Sequence, residues 1–88
     1  MKYYEESILK IKVFGIIREK LKDNLIIIPL NNGSISLKEL RKNINELYPY
    51  LATNEINFIF AVNKAICNKN IIVTSSDEIA LIHPISGG

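Results

Sequence analysis

The sequence predicts an α+β roll, in which one principal helix packs against a mixed sheet of about five strands. Three observations lead to this fold class. The chain has 88 residues, which is the size of one small domain. Several short segments rich in β-branched residues have the pattern of strands, and one segment has apolar residues at helical spacing. These segments follow the order β-β-α-β-β-β, which suits a helix lying on one face of a sheet.

The first part of the chain predicts two strands. Residues 8–13 alternate between apolar side chains and lysines, and residues 25–28 form an apolar run that ends at Pro29. Residues 16–22 lie between them and can form a short helical turn, with the charged side chains Arg18, Glu19, Lys20 and Lys22 in solvent. Because the two strands are close in the sequence, we expect them to pair as antiparallel neighbours.

The principal helix has the clearest local pattern in the chain. Ser36 and Glu39 have the S-x-x-E spacing of a capping box, in which each side chain accepts a hydrogen bond from the other residue's backbone amide. Pro49 disfavours helical geometry at the residue before it, so the helix should end there. Apolar residues recur at helical spacing between these signals: Leu37, Leu40, Ile44, Leu47 and Tyr48.

The second half of the chain predicts three more strands, at residues 58–62, 65–67 and 78–82. Asn63-Lys64 can form a tight turn between the first two, because asparagine tolerates a positive φ. Residues 71–73 predict only a brief extended piece. The first and last strands of the chain could be parallel partners in the sheet, a point that the sequence leaves open.

The composition argues against several classes of function. The net charge is +2 and the basic residues form no block, which argues against nucleic-acid binding. No segment has the roughly 18 consecutive apolar residues of a membrane span. The single cysteine, Cys67, excludes an internal disulfide, and one histidine with one cysteine cannot form a metal site. The start of the chain has no pattern of a signal peptide, so we expect a cytoplasmic location.

The C-terminal residues Gly87-Gly88 are the most distinctive feature of the sequence. Glycine has no Cβ, so a narrow channel can admit the two residues and their backbone can bend freely. Pro84 lacks an amide hydrogen, so strand pairing should stop there. We therefore divide the chain into a flexible extension at residues 1–7, a domain at residues 8–83 and a flexible tail at residues 84–88.

Four stretches of the sequence resemble those of a known family. They are Asp77-Glu78-Ile79-Ala80-Leu81-Ile82-His83-Pro84-Ile85-Ser86-Gly87-Gly88, Ala61-Val62-Asn63, Phe14-Gly15-Ile16-Ile17-Arg18-Glu19, and Leu37-Lys38-Glu39-Leu40 with Tyr48-Pro49. Over residues 10–88 the chain resembles the small-subunit family of molybdopterin synthase, whose members end in D-E-V-A, two hydrophobic residues, P-P-V, a small residue and G-G. Two positions depart from that pattern. His83 replaces the first tail proline, and Ser76 replaces the glycine of a G-D-E turn.

This resemblance implies a ubiquitin-like β-grasp fold and a role as a sulfur carrier in molybdenum cofactor biosynthesis. In the family, a ubiquitin-activating-like adenylyltransferase adenylates the C-terminal glycine, and sulfur replaces the AMP to give a thiocarboxylate. The tail then enters the large catalytic subunit of molybdopterin synthase, in an expected heterotetramer, and donates sulfur to cyclic pyranopterin monophosphate. Carried over, Gly88 supplies the carboxylate, Gly87 allows a narrow approach, and Pro84, Ile85 and Ser86 line the channel.

The partner enzymes are expected to supply ATP binding and catalysis. The sequence has no G-x-x-x-x-G-K-[ST] phosphate loop, so ATP must be bound by the activating partner, and we expect this chain to bind no cofactor. The chain is then non-catalytic alone and is the sulfur-donating subunit of a sulfurtransferase. Phe14 and Ile82 either form part of an apolar docking patch or pack in the core. Arg18 either pairs with an acidic residue of the partner or is a solvated helix charge.

Two alternative functions share the terminal diglycine. A thiamine-thiazole sulfur carrier has the same fold, but such chains are usually shorter and lack a proline before the final residues, so Pro84 argues against this function. A ubiquitin-like protein modifier would instead join its activated glycine to target lysines by isopeptide bonds. The same activated glycine serves either outcome, so the sequence alone separates a modifier from a sulfur carrier only weakly.

Overall fold

The computed structural model describes residues 7–52 and 57–84. Seven strands lie in these ranges: β1 (Ile8–Val13), β2 (Leu25–Pro29), β3 (Ser34–Ser36), β4 (Ile59–Val62), β5 (Ala65–Cys67), β6 (Ile72–Thr74) and β7 (Ile79–Ile82). They are joined by two α-helices, α1 (Gly15–Leu21) and α2 (Leu37–Leu47), and by the 3-10 helix Pro49–Ala52. No helix in this part of the chain is long and apolar enough to cross a bilayer.

Five strands form one mixed sheet in the order β2-β1-β7-β4-β5. β1 pairs antiparallel with β2 and parallel with β7, and β4 pairs antiparallel with both β7 and β5. This arrangement confirms the predicted α+β class with a mixed five-stranded sheet, and it confirms the antiparallel pairing of the first two strands. It also decides the point that the sequence leaves open, because the first and last strands are parallel partners at the centre of the sheet.

Strands β3 and β6 form a separate antiparallel pair, which the sequence pattern does not predict. The sequence pattern predicts only a brief extended piece at residues 71–73, and it predicts that Ser36 caps a helix. Ser36 in fact has two roles, since it is the last residue of β3, opposite Ile72, and also the N-cap of α2. A strand of three residues has too few positions to show an alternating pattern, so the omission of β3 has a physical reason.

The core lies between helix α2 and one face of the five-stranded sheet. Alternate strand residues point to this face and are buried: Leu9, Ile11, Val13, Ile26, Ile28, Phe60, Ile79 and Leu81. Helix α2 covers them with Leu37, Leu40 and Ile44 of its predicted apolar side, whereas Leu47, in the last turn of the helix, is exposed. Burial of each of these side chains stabilises the fold by about 1.5–3 kcal/mol. We name the opposite side of the sheet the outer face, and it carries the residues that the strands direct away from α2.

The N-terminus of α2 is capped both locally and from a distant loop. Ser36 Oγ accepts a hydrogen bond from the Glu39 amide at 3.1 Å, as the capping box predicts. The Lys38 amide donates to Asn70 Oδ1 at 2.9 Å, which satisfies a second free donor of the first turn. No reciprocal bond from the Ser36 amide to the Glu39 carboxylate is present in the described residues, where the Ser36 backbone instead belongs to the β3–β6 pair.

The predicted breaks in secondary structure are confirmed. Helix α2 ends at Leu47 with Tyr48 as its C-cap, directly before Pro49. Asn63 and Lys64 have positive φ values of 53° and 73° in the turn between β4 and β5. Asparagine visits this left-handed region readily because its short side chain bonds locally, and it therefore suits the first position of the turn.

A hydrogen-bonded network closes one end of the β4–β7 ladder. The Asn63 amide donates to the Glu78 carbonyl at 2.7 Å, and Asn63 Oδ1 accepts from the Glu78 amide at 2.9 Å. Asp77 accepts from Asn63 Nδ2 at 3.0 Å and from the Thr74 amide at 2.8 Å. These bonds, with that from Asn63 the largest cause, lower the pKa of Asp77. Asn63 and Asp77, which belong to two of the family-like motifs, thus hold two turns together.

Replacing Ser36 by alanine should lower the free energy of unfolding by about 1 kcal/mol, because the Glu39 amide loses its acceptor. Chemical denaturation followed by circular dichroism measures the change. Ser34→Ala is the matched control, because Ser34 lies in the same short strand but does not cap the helix. Equal losses in the two variants would contradict the capping role of Ser36.

Replacing Asp77 by asparagine should lower the free energy of unfolding by about 1–2 kcal/mol at neutral pH, because an amide has one acceptor oxygen where the carboxylate has two. The lowered pKa of Asp77 means that its carboxylate stabilises the fold above the ordinary aspartate pKa of 3.8. That contribution to stability is lost as the pH falls from the ordinary aspartate pKa through the lower pKa of Asp77 in the folded protein. Urea denaturation in neutral and in strongly acid buffer should therefore show the difference between the two proteins shrinking in acid, and an unchanged difference would disprove its origin in the charge.

Candidate functional site

The C-terminal tail continues from the last strand of the sheet. β7 ends at Ile82, and Pro84, two residues later, is half-buried. Residues 85–88, which include the predicted reactive glycine, lie outside the described residues, as do residues 1–6 of the predicted extension. The roles assigned to them stay predictions. In the described residues, the central strand β7 leads through His83 to Pro84, the first residue of the predicted tail.

Phe14 and Ile82 are neighbours next to this point. β1 and β7 are parallel with Val13 opposite Leu81, and Phe14 is extended (φ −132°, ψ 163°), so Phe14 and Ile82 continue the two strands side by side. Val13 and Leu81 point into the core, so the residues after them point to the outer face. Phe14 is 51% exposed and Ile82 is half-buried. Of the two interpretations of these residues, this geometry favours a surface patch over core packing.

Neighbouring strands extend the pair into an apolar surface. Ile59 lies opposite Ile82, and Ala61 lies opposite Ala80. Ile66 lies opposite Ala61 on the edge strand β5 and is 60% exposed. We name this surface the outer patch, and its members are Phe14, Ile59, Ile66, Ala80 and Ile82, together with Ala61, which is buried at 7% exposure between β5 and β7. Ile59 and Ile66 are not among the docking residues that the sequence predicts, although the alternation of β4 and β5 identifies them once the core face of each strand is known.

Two basic residues lie near the outer patch, Lys12 in β1 and Arg18 in the helix after Phe14. Lys12 lies opposite Ala80, and its Nζ atom is 3.1 Å from Glu78 Oε2. The hydrogen bond and the charge of Lys12 lower the pKa of Glu78. Arg18 is exposed on α1, where its amide donates to the Phe14 carbonyl, so it lies one helical turn beyond Phe14. No ion pair of Arg18 is present in the described residues, which leaves its charge accessible to a partner.

Other residues singled out in the sequence have structural surroundings. Cys67 packs against the core, and its thiol donates to a nearby backbone carbonyl at 3.5 Å. Ser76 does not have a positive φ, so this turn does not require the family's glycine, and its hydroxyl lies 2.8 Å from that of Thr74. His83 is half-buried, with Nδ1 3.1 Å from the Asn57 carbonyl oxygen. Within residues 7–52 and 57–84, no three His, Cys, Asp or Glu side chains are grouped so as to hold a metal ion.

Comparison with known proteins agrees with the motifs. The sequence matches the ThiS family over residues 11–88. A molybdopterin synthase sulfur carrier subunit from Dictyostelium discoideum is 35% identical over 83 residues, which cover 90% of this chain and 94% of that relative. This similarity confirms the resemblance to the molybdopterin synthase small subunit.

Solved structures show the same fold. SAMP1 from Haloferax volcanii superimposes with a TM-score of 0.72 at 17% identity, covering 92% of this chain and 99% of the other. A chain in the protein–protein complex of subunits 1 and 2 of molybdopterin-converting factor from Helicobacter pylori 26695 gives a TM-score of 0.61 at 24% identity, with the same coverage. The fold is therefore the predicted ubiquitin-like β-grasp, and the chain belongs to the ThiS family.

Proposed function

We propose that this chain is the sulfur carrier of molybdenum cofactor biosynthesis and acts as the small subunit of a molybdopterin synthase. The observation that carries the proposal is the 35% identity, over nearly the whole chain, to a relative named as a molybdopterin synthase sulfur carrier subunit. The geometry supports it, because Pro84 follows β7 next to the outer patch. A partner that binds the patch therefore lies close to the start of the tail.

Gly88 is the reacting residue in this proposal. A carboxylate is a poor electrophile because its oxygen is a poor leaving group. A partner adenylyltransferase turns that oxygen into part of a good leaving group, AMP. The Gly88 carboxylate attacks the α-phosphorus of ATP, and pyrophosphate leaves. Sulfide then adds to the carbonyl carbon of the acyl adenylate, and AMP leaves to give the thiocarboxylate. ATP is bound by the partner, and this chain binds no cofactor.

The large catalytic subunit is the proposed receptor of the tail. The similar Helicobacter pylori chain occurs in a complex of subunits 1 and 2 of molybdopterin-converting factor, and we propose the equivalent pairing here, within a heterotetramer. Five extended residues from Pro84 reach about 17 Å, which is enough to enter a neighbouring active site while the folded body stays outside. Residues 84–86 then line the channel, and Gly87 passes its narrow part. The thiocarboxylate sulfur attacks a carbon of the pyranopterin precursor as a carbon–oxygen bond of that carbon breaks. Water then hydrolyses the resulting thioester, which leaves the sulfur on the pterin and returns the Gly88 carboxylate.

The outer patch is the proposed docking surface for the large subunit. It combines an exposed aromatic ring, Phe14, with exposed aliphatic side chains such as Ile66, and the exposed Arg18 lies one helical turn beyond Phe14. Interfaces commonly have such an apolar centre with a polar rim. An acidic residue of the large subunit opposite Arg18 would fix the orientation of docking.

Incubating the chain with an activating enzyme of this class, ATP and a sulfur donor should raise its intact mass by the difference between one sulfur and one oxygen atom. Deleting Gly88 should abolish the gain, because the terminal carboxylate is then one residue short of the activating site. Mass spectrometry of the intact protein measures both results. Deletion of Met1 is the matched truncation at the other end, and it should leave the gain unchanged.

The same experiment separates the alternative functions. Conjugates of high mass that survive denaturation and thiols would identify a protein modifier in place of a sulfur carrier. Delivery of the sulfur to a thiazole-forming enzyme, and not to the pyranopterin precursor, would identify the thiazole carrier. A chain without Gly88 that still supports molybdopterin synthesis would refute the proposed role of the tail.

Replacing Phe14 by aspartate should weaken binding of the large subunit by roughly thirtyfold, or about 2 kcal/mol, because a central aromatic contact is lost. Folding should be unaffected, since Phe14 is the N-cap of α1 without a side-chain capping bond, and aspartate is favoured at this position. Isothermal titration calorimetry measures the affinity. Leu47→Asp is the matched control, because Leu47 is 57% exposed but lies on α2, across the sheet from the outer patch. Equal weakening by both variants would argue against docking through the outer patch.

A further inference from the structure

The hydrogen bonds between β4 and β7 alternate in a pattern that continues beyond the two strands. The Asn63 amide donates to the Glu78 carbonyl at 2.7 Å, so these residues form a hydrogen-bonded pair. In an antiparallel ladder such pairs recur at every second residue. In the register of β4 and β7, Ile59 with Ile82 is therefore also a hydrogen-bonded pair. The next such pair, beyond the ends of both strands, is Asn57 with Pro84.

Pro84 cannot complete that pair. A regular ladder would have the amide of residue 84 donate to the Asn57 carbonyl, but proline has no amide hydrogen. His83 Nδ1 lies 3.1 Å from the same carbonyl oxygen. Because a carbonyl oxygen only accepts, Nδ1 carries the hydrogen, either in the neutral Nδ1–H tautomer or in the imidazolium. The imidazole therefore supplies the donor that the backbone lacks.

We propose that His83 is a positioning residue that fixes where the C-terminal tail leaves the sheet and in which direction. Its side chain ties the residue before Pro84 to the start of β4, and the proline ring fixes the next φ angle. The tail then starts from one position instead of many, which reduces the entropy lost when a partner binds it. The effect on activity rests on the proposed sulfur-carrier function, whereas the hydrogen bond and its effect on the tail do not.

The carbonyl next to this acceptor is also bound by a side chain. Arg41 of α2 donates from Nη2 to the carbonyl of Phe58, the residue after Asn57, at 2.9 Å. The Arg41 guanidinium carbon lies 4.3 Å from the centroid of the Phe58 ring and 5.3 Å from that of Phe60. Partial burial lowers the pKa of Arg41, but a guanidinium stays charged at neutral pH. Side chains from α2 and from the residue after β7 thus bind two consecutive carbonyls directly before β4.

The small-subunit family has a proline where this chain has His83. A second proline restricts the tail through its ring and removes a further amide donor. His83 keeps its amide and restricts the tail through a side-chain hydrogen bond instead. The two residues therefore limit the motion of the tail by different physical means.

Three variants of the full chain test this inference. His83→Asn keeps a hydrogen-bond donor, because the side-chain amide nitrogen of asparagine is bonded to Cγ, as Nδ1 is in histidine. His83→Asp has nearly the same shape but accepts only, and His83→Leu has no polar group. Nitrogen-15 relaxation of the amides of residues 85–88 reports tail motion on the picosecond to nanosecond timescale. We expect the wild type and His83→Asn to be alike, and the other two variants to show larger amplitudes. The ring nitrogen shifts of His83 should show hydrogen on Nδ1 at neutral pH.

Kinetics with the proposed large subunit and the thiocarboxylate form of the chain give a second readout. The KM for the chain should rise about fivefold in His83→Leu, the effect of losing one hydrogen bond, while kcat stays the same. His83→Asn should restore the KM. A role of His83 in folding alone would lower the concentration of folded chain, which is the varied substrate, so each KM is expressed in the folded concentration that thermal unfolding gives. On that scale a folding role leaves both KM and kcat unchanged.

Tail relaxation that is the same in all variants, or a His83 Nδ1 without hydrogen, would overturn the inference. An absence of sulfur transfer by the wild type would defeat the proposed function, but the relaxation data would still decide the role of His83. Thermal unfolding establishes that each variant is folded. If His83→Leu does not fold, the comparison of His83→Asn with His83→Asp decides the question.

Discussion

The parallel pairing of β1 with β7 is the interaction on which the rest of the structure depends. It joins the first and last strands at the centre of the sheet, with Ile11 opposite Ile79 and Val13 opposite Leu81, and these side chains are at most 1% exposed. β2 and β4 add to the two free edges of this pair. A parallel pair needs a long connection, so it forms only as the intervening chain folds. The start of the C-terminal tail therefore has a defined position only in the folded domain.

The alternation of residues along β7 gives this strand two roles. Ile79 and Leu81 face the core, whereas Ala80 and Ile82 belong to the outer patch. A shift of one residue in the register would exchange these two sets and expose the core residues. The hydrophobic energy of the core thus protects the register, and the same register defines the proposed docking surface. Stability and the proposed recognition of a partner are coupled through this one strand.

Side chains complete the β4–β7 ladder at both ends. At one end Asn63 Oδ1 accepts from an amide of the partner strand, and at the other His83 donates to a carbonyl that faces a proline. Asp77 belongs to the same motif as the diglycine, yet its hydrogen bonds hold two turns together. A motif shared with a family therefore contains two kinds of residue. Those with tertiary hydrogen bonds build the platform, and those after Pro84 are proposed to carry the chemistry.

The sequence by itself determined the features that depend on near neighbours. The cap at Ser36 and the stop at Pro49 act within a few residues, alternation indicates the strands, and the chemical nature of the tail is evident from its composition. Only the tertiary structure decided the pairing of β3 with β6, the assembly of the outer patch and the acceptor of His83, which lies 26 residues away. Alternation shows that a strand has two different faces, but the side on which α2 packs decides which face is exposed. Contacts between residues distant in the chain come into existence only when the folded backbone brings them within a few ångströms of each other.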